Sequence, residues 1–124
     1  MKKLVPLPRL HKKAWDLQSR FKRQAAADEF GYVFCYTCGV RKPWKEMQWG
    51  HYLHGDCMDF VDDNNRVQCP QCNKWKHGNG AVFGIKLQAE IGPERFQRLL
   101  PMSEQVHKFT REELQEIIDR YEVK

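Results

Sequence analysis

The sequence predicts a small α+β domain stapled by a metal ion, and three observations carry that reading. Two Cys-x-x-Cys pairs, Cys35/Cys38 and Cys69/Cys72, stand 30 residues apart. Apolar residues recur at helical spacing towards both ends of the chain, whereas the middle alternates short β-like runs with turns. The chain has 124 residues, which is one domain's worth and a size at which a bound metal often supplements a modest core.

The elements follow in order. Arg9 to Glu29 reads as a helix, because Leu10, Ala14, Leu17, Phe21 and Ala25 form one stripe, Pro8 precedes it and Phe30-Gly31 ends it. Tyr32 to Cys35 is β-like, Cys38-Gly39 is a turn, and Met47 to His54 is aromatic and extended. Residues 55–65 carry Gly55, four aspartates and Asn64-Asn65, which predicts a loop. Cys72 onward is helix-compatible until Gly78-Asn79-Gly80. Val82 to Glu90 predicts a helix, as does Pro93 to Leu100, with Pro101 as its stop. A last helix starts at Thr110, which with Glu113 has the spacing of a capping box, and Phe109 and Leu114 stand at the staple positions. Its stripe is Leu114, Ile117, Ile118 and Tyr121. The expected organisation is a basic arm and helix over 1–30, a metal-stapled core over 31–80, and a helical part of the same domain over 81–124.

Each Cys-x-x-Cys turn brings two thiolates to one point, and two such turns complete the tetrahedral sulfur set that zinc prefers. A structural zinc is worth on the order of 10 kcal/mol in peptides, comparable with the whole stability of a small domain. Cys57 is left over and reads as a free thiol. The odd cysteine count and the short, proline-broken segment after Lys2-Lys3 argue against an export signal and for reduced thiols, hence a cytoplasmic setting.

The net charge of +5 is unevenly placed. Residues 1–27 hold eight Lys/Arg and one acid, a net of +7, and the remainder holds 13 basic and 15 acidic side chains, a net of −2. An arm of this kind suits a polyanion, and no apolar run is long enough for a membrane span. The candidate nucleic-acid contacts are Arg9, Lys12, Lys13, Arg20, Lys22 and Arg23, with Lys74 and Lys76 beside the second cysteine pair. A merely solvated face is the competing explanation for each of them. Trp15, Trp44, Trp49 and Trp75 are read as packing residues, and His11 and His107 receive no role.

Four further residues stand in a chemically suggestive order. His51 lies between the cysteine pairs, Asn64 lies five residues before Cys69, Asn73 follows Cys72, and His77 is four residues later. If the second pair opens a helix, Asn73 and His77 share one of its faces. Asn73 could equally cap that helix, and His77 could simply end a turn. This order resembles the His-Asn-His motif of the treble-clef, or ββα-metal, nucleases. The run through Cys35-Tyr-Thr-Cys-Gly39, Trp44-Lys-Glu-Met47, Gly50-His-Tyr52, Asn64, Gln68-Cys-Pro-Gln-Cys-Asn73 and His77-Gly-Asn79 resembles the phage lambda NinG (Rap) family of recombination endonucleases.

The resemblance implies a zinc-stapled HNH-like core and a metal-dependent DNA endonuclease. Its expected substrates are branched recombination intermediates such as Holliday junctions, D-loops and forks, met in the cytoplasm of a phage-infected or prophage-bearing host. Carried over, His51 is the general base, Asn64 the orienting residue (Asn65 being the alternative), and Asn73 and His77 the ligands of a catalytic Mg²⁺ or Mn²⁺. The wider motif often has an acidic ligand before the base, where this chain has Gly50. Asp56 or Asp59 could supply the deficit, and nothing in the sequence selects between them. A four-way junction has two-fold symmetry, so paired cuts imply a homodimer. The competing expectations are a non-catalytic zinc module that binds DNA or protein, and a nuclease acting on RNA or without structural preference.

Overall fold

The computed structural model describes residues 4–122, and Lys2 and Lys3 of the arm lie outside them. It is a mixed α+β structure. Helix α1 spans Leu7–Ala26, followed by strands β1 (Tyr32–Phe34), β2 (Arg41–Pro43), β3 (Gln48–His51) and β4 (Asn65–Gln68). Helices α2 (Gly80–Ile91), α3 (Pro93–Ser103) and α4 (Arg111–Tyr121) complete it. No helix among the described residues is long and apolar enough to cross a membrane.

Helix α1 ends three residues before the expected Glu29. The Asp28 carboxylate accepts hydrogen bonds from the backbone N–H groups of Phe30 and Tyr32, and this local turn competes with another helical turn. The helix buries Leu10 and Ala14 against Leu114, Ile117, Ile118 and Tyr121 of α4. Phe21, expected on the buried stripe, is 45% exposed. Gln18 and Ser19 are buried in place of a purely apolar stripe, and Gln18 Oε1 accepts a hydrogen bond from Trp49 Nε1 at 3.3 Å.

Helix α4 forms as its sequence dictates. The Thr110 hydroxyl accepts from Glu113 N at 3.1 Å, and the Glu113 carboxylate accepts from Thr110 N at 2.9 Å. Arg23 departs from the expected role of the arm. Its guanidinium turns inward and donates to the carbonyls of Trp44 and Met47, at 3.2 and 3.0 Å, and so ties α1 to the central strands.

The strands form two antiparallel pairs, β1 with β2 and β3 with β4. In the second pair Gln48 faces Gln68, Trp49 faces Val67, Gly50 faces Arg66 and His51 faces Asn65. Trp49, Val67, Val33 and Met47 pack with Cys35, Cys69 and Cys72 in a central core, with Trp15 and Trp44 against it. Trp75 does not join them: it is 77% exposed. A third cluster places Phe83, Leu87, Ile91 and Leu99 of α2 and α3 around Met58, which anchors the stretch after β3.

That stretch is not plain loop. It contains two 3₁₀ turns, Asp56–Met58 and Asp62–Asn64, and Asn65 already belongs to β4. Pro101, expected to stop α3 at Leu100, lies inside its last turn. Proline lacks the N–H that earlier turns need, but the helix closes through the Glu104 and Gln105 N–H groups, which bond the Pro101 and Met102 carbonyls.

Candidate active site and structural metal centre

The two cysteine turns meet. All four Sγ atoms of Cys35, Cys38, Cys69 and Cys72 lie within 4.8 Å of one another, and the Cys38 and Cys69 sulfurs are 3.6 Å apart. Sulfurs around tetrahedral zinc stand about 3.8 Å apart, given Zn–S bonds of about 2.3 Å. The first turn closes through Gly39 N on Cys35 O, with Gly39 at φ +81°, a conformation that suits glycine. The second closes through Asn73 N on Cys69 O and Cys72 N on Cys69 Sγ.

Burial raises the Cys35 thiol, but hydrogen bonds from Thr37 and the Cys38 and Cys69 backbones outweigh it and bring the group down to about 6. Burial and the neighbouring sulfurs drive Cys69 up to about 12. Four thiolates so close repel one another, and a divalent cation removes that penalty. The cluster can therefore hold a structural metal such as zinc. Cys57 lies apart, with its thiol near the Met102 and Ser103 carbonyls.

His51 ends β3. Its Nδ1 is 2.8 Å from Asn65 Oδ1. The Asn65 amide nitrogen donates to the carbonyls of Val61, Asp59 and Met58, at 2.8, 3.2 and 3.4 Å. Those carbonyls can only accept, so the amide cannot flip, and its oxygen must face the imidazole. His51 Nδ1 therefore carries the proton, and Nε2 of the neutral ring keeps a free lone pair. Trp15 stacks on the ring with centroids 4.6 Å apart. Burial pushes the imidazolium below the usual histidine range and His54 adds to this, against the opposing pull of Asp59 and Asn65.

Asn64, expected as the orienting residue, bonds the loop backbone at Leu53, while the imidazole is bonded by Asn65. Asn64 is fully buried, and its amide accepts from Leu53 N and donates to Leu53 O, both at 2.9 Å. It clamps the chain leaving β3, while its neighbour holds the imidazole. Asn64 ends the 3₁₀ turn and Asn65 opens β4, so the two adjacent side chains take different directions and one position separates the two roles.

The site also gathers Asp59, which the sequence offered only as an alternative to Asp56, and His11, for which it showed no role. Asp59 Oδ1 is 3.5 Å from His51 Nε2, and Asp59 Oδ2 is 2.6 Å from His11 Nε2. A cavity of about 660 Å³ opens here between the start of α1 and the segment before α4, and its lining includes His11, Lys12, Trp15, His51, Asp56 and Asp59. His107 and Lys108 flank the same opening. The four-residue spacing of His11 and Trp15 does place them on one helix face, but nothing local says that this face meets β3.

Asn73 and His77 do not share a helix face. The second knuckle opens a π-helical turn, Gln71–Trp75, and His77, Gly78 and Asn79 then take positive φ of 49°, 90° and 51°. These three residues reverse the chain, so His77 leaves the helical direction and is exposed. Asn73 donates from Nδ2 to Gln48 Oε1 at 2.7 Å, which leaves its Oδ1 turned towards Gly50. Lys74 and Lys76 are exposed on either side of Trp75. On α1, Arg9, Lys12, Lys13 and Arg20 line one shallow groove. Lys12 pairs with Asp16 and Lys13 with Glu122, while Lys22 approaches Asp62 at 3.7 Å.

Among known proteins, the family model of the bacteriophage lambda NinG protein matches residues 3–124. Comparison with curated proteins and with solved structures returns no match.

Proposed function

The chain belongs to the bacteriophage lambda NinG family, and from that premise we propose that it is a metal-dependent DNA endonuclease of the HNH type, with a treble-clef core, acting on branched recombination intermediates. The observation that carries this reading is the fixed tautomer of His51. A buried asparagine with its amide locked by three carbonyls fixes the tautomer of the neutral imidazole, with a lone pair on Nε2, and His51 lines the cavity. That is the arrangement a general base requires.

Phosphodiester hydrolysis starts with a water that must lose a proton. A water against His51 Nε2 gives that proton to the imidazole, and Asp59 Oδ1 is placed to take its second hydrogen as a hydrogen bond. Trp15 keeps the ring plane fixed, and the Asp59–His11 bond keeps the carboxylate in place. Asn73 Oδ1, left open by the bond of its amide nitrogen to Gln48, is a hard oxygen donor suited to Mg²⁺. A bound Mg²⁺ would stabilise the charge developing at the scissile phosphate and leaving oxygen.

The cysteine cluster is closed on itself and serves to position these groups. Arg9, Lys12, Lys13 and Arg20 form the face of α1 that would follow a phosphate backbone. Two copies of the chain would cut the two symmetric strands of a four-way junction.

The test is incubation of the zinc-loaded protein with Mg²⁺ or Mn²⁺ and matched plain duplex, branched DNA and RNA, beside His51→Ala. The expected result is cleavage of branched DNA by the wild type alone. Cleavage of nothing would favour a binding module. Equal cleavage of plain duplex would remove the structural preference, and undiminished cleavage by His51→Ala would remove the base.

A further inference from the structure

Gly50 occupies the position before the base, where a side-chain metal ligand is absent from this chain. The structure shows what fills that space. A Cβ built on Gly50 would lie 2.0 Å from Gln68 Oε1 and 3.0 Å from Asn73 Oδ1. Two amide oxygens therefore converge on the point where the side chain of residue 50 would begin. Gln68 is fully buried, and among the described residues its Oε1 is a buried polar atom with no hydrogen-bond partner.

The orientation of this amide is determined. Gln68 Nε2 donates to Thr37 Oγ1 at 3.1 Å and to the Gly78 carbonyl at 2.8 Å. A carbonyl cannot donate, so the nitrogen must face Gly78 and the oxygen must face Gly50. The Asn73 amide donates from Nδ2 to Gln48 Oε1, and its Oδ1 faces the same Cβ position. Leaving a buried acceptor unpaired is unfavourable, and such atoms in a well-packed structure call for a partner.

We propose that Gln68 Oε1 is a ligand of the divalent cation, standing in for the side chain that Gly50 lacks and binding together with Asn73 Oδ1. This rests on the metal-dependent nuclease reading and completes its site. Distances of 2.0 and 3.0 Å from one Cβ position put the two oxygens no more than 5.0 Å apart, and neighbouring oxygens on an octahedral Mg²⁺ lie about 3 Å apart. Both donors are neutral and hard, which suits Mg²⁺ or Mn²⁺ and not a softer metal. Asn73 is half-buried, so the pair is reached from its side. Glycine at position 50 follows from the same geometry: any Cβ would displace the Gln68 amide.

The experiment measures Mn²⁺ binding to the zinc-loaded protein without DNA, by electron paramagnetic resonance, for the wild type, Gln68→Met and Gly50→Ala. In parallel, the side-chain amide signals of wild-type Gln68 and Gln18 are followed by NMR at substoichiometric Mn²⁺, which needs no variant to fold. We expect at least about tenfold weaker Mn²⁺ binding in each folded variant, and broadening of Gln68 before Gln18. Wild-type affinity in both folded variants, broadening that spares Gln68, or no Mn²⁺ binding by the wild type would each overturn the assignment. Metal-dependent cleavage of branched DNA that persists under any of those results would leave the nuclease reading standing, with its ion held elsewhere.

Discussion

Asn65→Ala separates the orientation of the base from the stability of the fold. The substitution deletes the acceptor of His51 Nδ1 and the donor to Val61 O, both at 2.8 Å. At about 1–3 kcal/mol for each of these two bonds, the destabilisation is about 2–6 kcal/mol. For a chain of this size that lowers the melting temperature by about 8–24 °C. Asn64→Ala is the matched control. It strands Leu53 N and Leu53 O, again two groups, and so has a similar effect on melting. The chemistry distinguishes them. Without Asn65 the imidazole is free to take the wrong tautomer, and loss of such an orienting partner costs about 10–100-fold in comparable sites. Without Asn64, His51 keeps its proton on Nδ1. The assay is single-turnover cleavage of branched DNA well below both melting transitions, with circular dichroism to confirm folding. Equal rate losses in the two variants, or a full rate in Asn65→Ala, would refute the tautomer argument.

Further outcomes follow from the same geometry. His51→Ala should retain zinc content and DNA affinity while cleavage falls by about 10²–10⁴-fold, as measured by binding and rate on one preparation. Because burial favours the neutral ring, the acid limb of the rate profile should have its midpoint below the ordinary histidine value of 6.5. Asp59→Asn removes a charge that favours the imidazolium and should move that limb lower still. Replacing Cys69 by Ser, or stripping the metal with a chelator, should abolish cooperative melting, because the metal contributes on the order of 10 kcal/mol; an unchanged transition would count against a structural metal. Replacing Arg9, Lys12, Lys13 and Arg20 by Ala should lower the log–log salt slope of DNA binding by about 3–4. Arg23→Ala should instead destabilise the fold, since its guanidinium donates to Trp44 O and Met47 O.

What was legible in the sequence was local. The cysteine pairs announce themselves because two thiols on one turn need only two intervening residues. Helix α4 does so because Thr110 and Glu113 satisfy each other within a single turn. His51 was visible by its place between the pairs. The missing parts depend on distant segments. Asp59 and His11 meet across 48 positions of chain, so neither could be selected from its neighbours. Asn64 and Asn65 have identical chemistry, and only the β3–β4 register tells which one faces His51. The separation of Asn73 from His77 turns on a π-helical turn and three positive φ angles that composition does not announce. Gln68 gave no signal, because its significance lies in the atom that Gly50 does not have.

The β3–β4 ladder has a consequence for how this chain can vary in length. His51 stands opposite Asn65, and three residues after Asn65 the strand runs into Gln68 and Cys69. Both ends of that short strand are tethered, one by an imidazole and the other by the knuckle. Deleting one residue from 66–67 would set the two tethers against each other, since a one-residue slip turns every side chain of the strand to its other face. The chain between His54 and Cys57 carries no such double constraint, and its Gly55 and Asp56 are exposed. Insertions and deletions should therefore be accepted between His54 and Cys57 and rejected after Asn64. The boundary between these two regimes lies in the segment from Met58, buried among the C-terminal helices, to Asn64, which clamps Leu53.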